Sequence, residues 1–498
     1  MKKFICIHGH FYQPPRENAW TDEIDLQHSA FPFRDWNERI NTECYEANAK
    51  AKIHIFHANE PEFTTDVNNY EKISFNFGPT LLHWMKKHAK ATYKKIIDAD
   101  KISCKEKNGH GNAIAQVYNH IIMPLANDRD KQTQVIWGIQ DFVSHFGRYP
   151  EGMWLAETAV DTATLEILAG HNIAFTILSP RQAKAYRESR DKNWVNISAQ
   201  QDFNTNVPYL CKLPSGKSIS LFFYNGELAQ DVAFNRLLSD GHNFYKRIIT
   251  SHVFDDSIEL THIATDGETY GHHHRYGEMG LAACIYFAEY YKNVSITNYA
   301  EFLAGNPPQQ EVLIHENSSW SCVHGVERWR NDCGCSDGEG GKFKQQWRAP
   351  LRKALDWLRD ELGALYEKEI SKYHGNAWEL RDKYIEVILK KTSQNEFISK
   401  YIGKIKNEEG EKISTLLEMQ KYAQLMYTSC AWFFDEVSRI ETKQVLQYAK
   451  RAIEIAEIIS LKKFEGKFLE LLELAPSNVE KYKTAAEVYK STFNKNAN

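Results

Sequence analysis

Residues 258–274 read IELTHIATDGETYGHHH, an apolar run that stops at Asp266 and gives way to a polar, glycine-containing loop. The stretch MGLAACIYFAEYY follows at 279–291. A short apolar run bounded by a turn signal is a buried strand, and the longer apolar stretch behind it is a helix. Strand, polar loop and helix together form the repeating element of a parallel sheet or barrel, in which reactive side chains gather at the carboxyl ends of the strands. Asp266 stands at such an end, with His272, His273 and His274 in the loop behind it.

The same grammar recurs upstream. Residues 4–8 form a first strand that runs into HGHFYQPPREN at 8–18. Residues 73–77 precede Gly78, Pro79 and the helical TLLHWMKKH, while 113–118 run into YNHIIMPL. QVIWGIQDFVSHFG reads as a helix closing on Gly147, and a short strand at 153–156, inside GMWLAE, ends at Glu157. Further units start at 173–178 and 219–224. The count predicts an α/β chain with a β/α barrel of seven or eight strands.

Beyond about residue 305 the texture changes. Asn306, Pro307 and Pro308 mark a break, and SDGEGGK at 336–342 is a turn-rich loop. Leu351, Leu355, Leu358, Leu362 and Leu365 then recur at steps of four and three, which places them on one helical face. Only five of the 26 glycines and two of the 14 prolines lie after residue 345, so the last third reads as an all-α bundle. The expected division is a catalytic barrel at 1–305, a connecting segment with a polar-aromatic and Cys/His motif at 306–345, and a helical domain at 346–498.

Composition narrows the function. A net charge of −4 provides no basic field for nucleic-acid phosphates. The longest apolar runs fall short of a membrane span, and the start, MKKFICIHGHFYQPP, is too short and too polar for a signal sequence. Nine cysteines without such a signal point to reduced thiols and a cytoplasmic protein, and no cofactor is expected. The 12 Trp, 25 Tyr and 26 Phe suit either large aromatic cores or stacking on the flat faces of sugars or bases.

Glu157 and Asp266, at two strand ends, suit paired carboxylate chemistry. Retaining glycosidic cleavage uses one carboxylate as nucleophile and a protonated carboxyl as acid, set about 5–5.5 Å apart. An ordinary capping role is the competing account of either acid taken alone. His8, His10, Asp266 and the three loop histidines also fit a metal-dependent hydrolase such as a carbohydrate deacetylase or mannosidase. A third alternative is a carbohydrate-binding barrel without catalysis, against which both carboxylates weigh. Cys322, His324, Cys333 and Cys335 form C-x-H and C-x-C pairs that lack the usual two-residue zinc spacers, and whether they hold a structural metal stays open.

Taken together, HGHFYQPP, YNHIIMPL, GMWLAE and TDGETYGHH resemble the first four motifs of glycoside hydrolase family 57. The resemblance implies an incomplete, seven-stranded β/α barrel followed by a helical domain that closes the cleft, acting without a metal. It also implies a retaining hydrolase or glucanotransferase on α-linked glucans, with a poly- or oligosaccharide substrate, Glu157 as nucleophile and Asp266 as acid/base. His10, Gln13, His120 and Trp154 would line the substrate subsites, and His8, His272 and Trp320 join them as binding candidates. In many members the first motif is a compact His-x-His-Gln-Pro, whereas here Phe11 and Tyr12 separate His10 from Gln13. ENSSWSCVHGVERWRNDCGC, at 316–335, stands where a fifth motif would fall. In the helical region CAWFFDEVSRIE crowds rings against acids, and Trp432 and Glu436 are expected to touch sugar, because one helix face cannot hide three consecutive rings.

Overall fold

The apolar runs are strands in the computed structural model, which describes residues 3–55, 63–198, 203–251, 259–338 and 341–493. Seven of them succeed one another as neighbours: β1 (Lys3–Phe11), β2 (Ser74–Phe77), β3 (Ala115–Gln116), β4 (Met153–Trp154), β5 (Phe175–Leu178), β6 (Ser218–Phe223) and β7 (Glu259–Asp266). β1 lies parallel between β7, in register from Lys3↔Glu259 to His10↔Asp266, and β2, from His8↔Ser74 to Phe11↔Phe77. A parallel bridge, Phe75↔Ala113, leads from β2 to the residues before β3, and β3 pairs parallel with β4. Gly152↔Phe175 leads on to β5, which pairs parallel with β6. From the end of β6 the Asn225 N–H donates to the His262 carbonyl of β7 at 2.9 Å.

Helices fill the connections, among them Pro79–His88, Thr162–Gly170 and Gly226–Phe234, and Gly277–Tyr291 follows β7. Strands covered on both faces read as continuous apolar runs, and every residue of β5 and all of β7 except Asp266 are buried. β6 also pairs antiparallel with Tyr209–Lys212, from which the sheet continues through Gln310–Ile314 and Ala183–Glu188. The break at Asn306, Pro307 and Pro308 therefore ends the helix Tyr299–Gly305 but not the unit. Proline removes a helix donor, and the chain resumes as the strand Gln310–Ile314.

The chain divides into two compact units. The first comprises Met1–Gln13, Leu26–Gln116 and Phe142–Trp320, and the second Pro14–Asp25, Val117–Asp141 and Ser321–Asn498. The second is built on Arg348–Ile370, Asn407–Leu425 and Ile440–Ser460. Leu351, Leu355, Leu358 and Leu362 are fully buried on one face, while Leu365 is half-buried. Buried polar contacts tie in the two early segments. Arg381 Nη1 pairs with Asp130 at 2.8 Å, and the Tyr422 hydroxyl donates to the Ala19 carbonyl at 2.7 Å. Among the described residues no helix is long and apolar enough to cross a membrane.

Candidate active site

His8 and His10 project from the same face of β1 because side chains alternate along a strand. Asn76, on neighbouring β2, links them. Its Oδ1 accepts from His8 Nε2 at 3.1 Å, and its Nδ2 donates to His10 Nδ1 at 2.9 Å and to Gln116 Oε1 at 2.8 Å. Ser74 Oγ meets His8 Nδ1 at 3.0 Å. An amide oxygen only accepts and an amide nitrogen only donates, so the network assigns the proton of each imidazole to Nε2. Burial pushes His8 down to about 3, which keeps it neutral. Both nitrogens of His8 are thus committed to hydrogen bonds, leaving no lone pair for a metal.

The Trp154 ring stacks on both imidazoles, at 5.0 Å from His8 and 4.9 Å from His10, and Tyr12 stacks on His10 at 5.7 Å. Trp320 stands edge-on to Trp154 at 5.1 Å and donates its indole N–H to Glu157 Oε2 at 3.0 Å. Gln116 and Trp154 are opposite one another in register. Gln116 Nε2 and Trp154 Nε1 are buried donors with no acceptor among the described residues, an expensive arrangement.

Glu157 follows β4 in a left-handed conformation, φ 57° and ψ 21°, and Thr158 follows at φ 50°. Two consecutive non-glycine residues with positive φ store strain that surrounding structure must hold. Gln182 holds Thr158, donating to its carbonyl and accepting from its hydroxyl, both at 2.8 Å. The Trp320 N–H donates to the Glu157 carbonyl at 3.0 Å. The turn presents Glu157, half-buried, beyond the strand end.

Asp266 ends β7 opposite His10. Unlike the rest of β7 it is exposed, although the surrounding protein takes water from its carboxyl. The carboxyl is held well above its usual range, by this dehydration first and then by the negative charges of Glu157 and Glu268. Gly267 behind it admits the Phe11 ring, which a Cβ there would meet at 2.2 Å. Glu268 is buried and receives the Tyr12 N–H at 3.1 Å and the Tyr45 hydroxyl. Burial still outweighs these donors and pushes it up to about 7. Dehydration thus leads the shift at Asp266, and repulsion from two carboxylates, Glu157 and Glu268, adds to it.

The other candidates are dispersed. Gln13 donates to the Tyr12 carbonyl at 3.0 Å and also bonds Glu268, so it supports the buried acid. The three loop histidines diverge: His272 pairs with Glu43, His274 meets the Ala233 carbonyl at 2.8 Å, and burial pushes His273 down to about 4. His120, in the second unit, takes a positive φ of 53°, and its Nδ1 meets the Ser429 hydroxyl at 2.7 Å. Trp432 is 1% exposed and donates to the Arg348 carbonyl at 3.3 Å. Glu436 accepts from the Ser477 hydroxyl at 2.6 Å, the Asn478 N–H at 2.7 Å and Asn478 Nδ2 at 2.9 Å. Trp432 is thus part of the core, and both oxygens of Glu436 are bonded to a neighbouring loop. Of the three consecutive rings only Trp432 is buried; Phe433 and Phe434 lie half-buried against Arg328 and Arg439. Asn76, Gln116 and Glu268 escaped the sequence reading, although Glu268 lies two residues after Asp266 within a quoted motif.

Parallel strands whose carboxyl ends carry two acids among stacked aromatic rings define a barrel enzyme of the sugar-processing class. The chain belongs to glycosyl hydrolase family 57, whose model matches residues 8–314, and residues 343–497 match a domain of unknown function, DUF3536. No curated protein matches the chain. Among solved structures it is similar to an exo-type maltose-forming amylase from Pyrococcus sp. ST04, with 16% identity, a TM-score of 0.73, and coverage of 99% of this chain and 91% of that one. A branching enzyme from Pyrococcus horikoshii shares 15% identity at a TM-score of 0.55, covering 99% and 94%. A 4-alpha-glucanotransferase from Thermococcus litoralis shares 13% at 0.52, covering 90% and 59%.

Proposed function

We propose that the protein is a retaining glycoside hydrolase or glucanotransferase acting on α-linked glucan chains, with Glu157 as nucleophile and Asp266 as acid/base. The observation that carries this reading is the meeting of two acids at strand ends: the turn after β4 presents Glu157, and Asp266 ends β7, where the charge of Glu157 helps hold its carboxyl above the usual range. In the first step the Glu157 carboxylate attacks the anomeric carbon, the glycosidic C–O bond breaks, and the departing oxygen takes the Asp266 proton. In the second, the Asp266 carboxylate removes a proton from water or an acceptor hydroxyl. That oxygen attacks the anomeric carbon and releases Glu157. Both outcomes share the glycosyl-enzyme, and the incoming oxygen decides between hydrolysis and transfer. The half-buried ring of Trp320, edge-on to the core Trp154, offers a stacking surface for sugar.

The order of strand neighbours from β1 to β7 supports an incomplete seven-stranded barrel as the frame of this chemistry. Nine cysteines, none paired in a disulfide among the described residues, favour a reducing cytoplasm. The decisive experiment incubates the protein with a slow-releasing fluorinated α-glucosyl fluoride and maps the adduct by peptide mass spectrometry. A glycosyl ester on Glu157 is expected. Turnover of the same reagent with inverted anomeric configuration in the product would overturn the retaining mechanism.

A further inference from the structure

Four soft donor atoms converge in the loop 321–338 of the second unit. Cys322 Sγ lies 3.9 Å from Cys333 Sγ and 3.8 Å from Cys335 Sγ, and Cys335 Sγ lies 3.6 Å from His324 Nδ1. All four atoms fall within 4.8 Å of one another. Zinc bonds of about 2.3 Å to sulfur and about 2.0–2.1 Å to nitrogen, at tetrahedral angles, require sulfur–sulfur edges of about 3.8 Å and sulfur–nitrogen edges of about 3.6 Å. The three separations match those edges. A disulfide would draw two sulfurs to about 2.05 Å and leave the third aside. Here Cys322 is almost equidistant from two sulfurs, and an imidazole nitrogen completes the group.

The surroundings are those of a metal site. The one-residue spacers that depart from the usual zinc pattern are accommodated by turns, with Gly325 at φ 85° just after His324 and Gly334 at φ 78° between the last two cysteines. The backbone N–H groups of His324 and Arg328 are directed at Cys322 Sγ, and that of Val323 at Cys335 Sγ, the bonding that steadies a thiolate ligand. Val326 and Trp329 anchor the middle of the loop in the core. Arg348, fully buried, donates to the Cys335 carbonyl at 3.0 Å, and buried Arg328 donates to the Ser336 carbonyl at 3.1 Å. Three thiolates, a neutral imidazole and a divalent ion carry one net negative charge; with Asp435, which meets Arg348 at 3.8 Å, it offsets the two guanidinium charges.

We propose that Cys322, His324, Cys333 and Cys335 bind one zinc ion tetrahedrally and that this closed site ties the loop to the helix beginning at Arg348. Each thiol proton passes to solvent as its sulfur–zinc bond forms, and with four protein ligands no position is left for substrate, so the role is structural. The test measures zinc by mass spectrometry in the full-length protein purified under reducing conditions. About one zinc per chain is expected, falling about tenfold or more in Cys333→Ser and Cys335→Ser. Cobalt(II) exchanged into the unmodified protein should give the intense visible bands and thiolate charge-transfer absorption of tetrahedral sulfur-rich coordination, a readout that stands even if the serine variants do not fold. Zinc content unchanged in folded serine variants would overturn the site. So would an unmodified chain that, reconstituted with zinc while its thiols are reduced, retains no metal and gives no such cobalt spectrum.

Discussion

Two regions of the molecule set carboxylates among aromatic rings, one at the strand ends of the first unit and one at 430–441 in the second. In the second, the acids are consumed by donors. Asp435 accepts from the Ser336 hydroxyl and from Gln345 Nε2 at 3.1 Å, and Glu436 is bonded to Ser477 and Asn478. In the first, Asp266 and Glu268 are dehydrated, and the negative charges of Glu157 and Glu268 press on Asp266. The difference teaches that acids beside rings mark a reactive site only where donors fail to offset the loss of water. Where donors suffice, the same residues are joinery.

The sharpest way to break the contrast is at Glu157. Glu157→Ala should lower turnover on α-glucans by about four orders of magnitude with the circular dichroism spectrum unchanged, and a folded variant with substantial turnover would remove the nucleophile from the scheme. Asp266→Asn should cost about 10²–10⁴-fold on natural glucans but far less on glucosyl fluorides, whose leaving group needs no proton. Equal losses on both substrates would contradict an acid role.

Glu268 tests the electrostatic half of the comparison. Because Asp266 must hold its proton, activity is lost as pH rises through its folded value. Glu268→Gln removes one neighbouring charge, so the alkaline limb of the kcat/KM profile should move to lower pH. The same change bears on stability. With its folded value raised from 4.5 to about 7, Glu268 binds more protons in the folded state than in the unfolded one, so its contribution weakens as pH rises from about 4.5 and is fully unfavourable above about 7. Glu268→Gln should therefore gain up to roughly 3 kcal/mol over the unmodified protein at pH 8, fading toward pH 4 in urea unfolding.

In the second region the expectation reverses. Trp432→Ala should cost about 3–5 kcal/mol of stability, as for other emptied core sites. Glu436→Gln, the mildest change, should alter kcat/KM less than twofold while lowering Tm by a few degrees through weakened bonds to Ser477 and Asn478. A several-fold kinetic loss without a change in Tm would restore Glu436 to substrate binding.

Periodicity carried far because burial leaves a one-dimensional trace. Strands covered on both faces read as apolar runs, the leucine face of Arg348–Ile370 repeats at helical steps, and strand ends expose Glu157 and Asp266 at the polar junctions. The strand Gln310–Ile314 lies beyond a proline break and resembles a connector in sequence, since sheet partnership with Ala183–Glu188 has no local signature. Likewise, nothing in the residues of 14–25 or 117–141 announces membership of the second unit; buried partners such as Arg381 for Asp130 decide it.

The sequence by itself determined the alternation of strands and helices, the helical character of the last third, the family, and the two acids at strand ends, all of which depend on the order of residue types along the chain. Only the tertiary structure decided which polar groups meet. Asn76 setting two histidine tautomers, Glu268 pressing on Asp266, Trp320 reaching Glu157 across 163 residues, and three thiols converging on one imidazole are distances in space. A hydrogen bond, a dehydrated charge or a coordination edge depends on those distances and on the water excluded around them, and neither is written in the order of the residues.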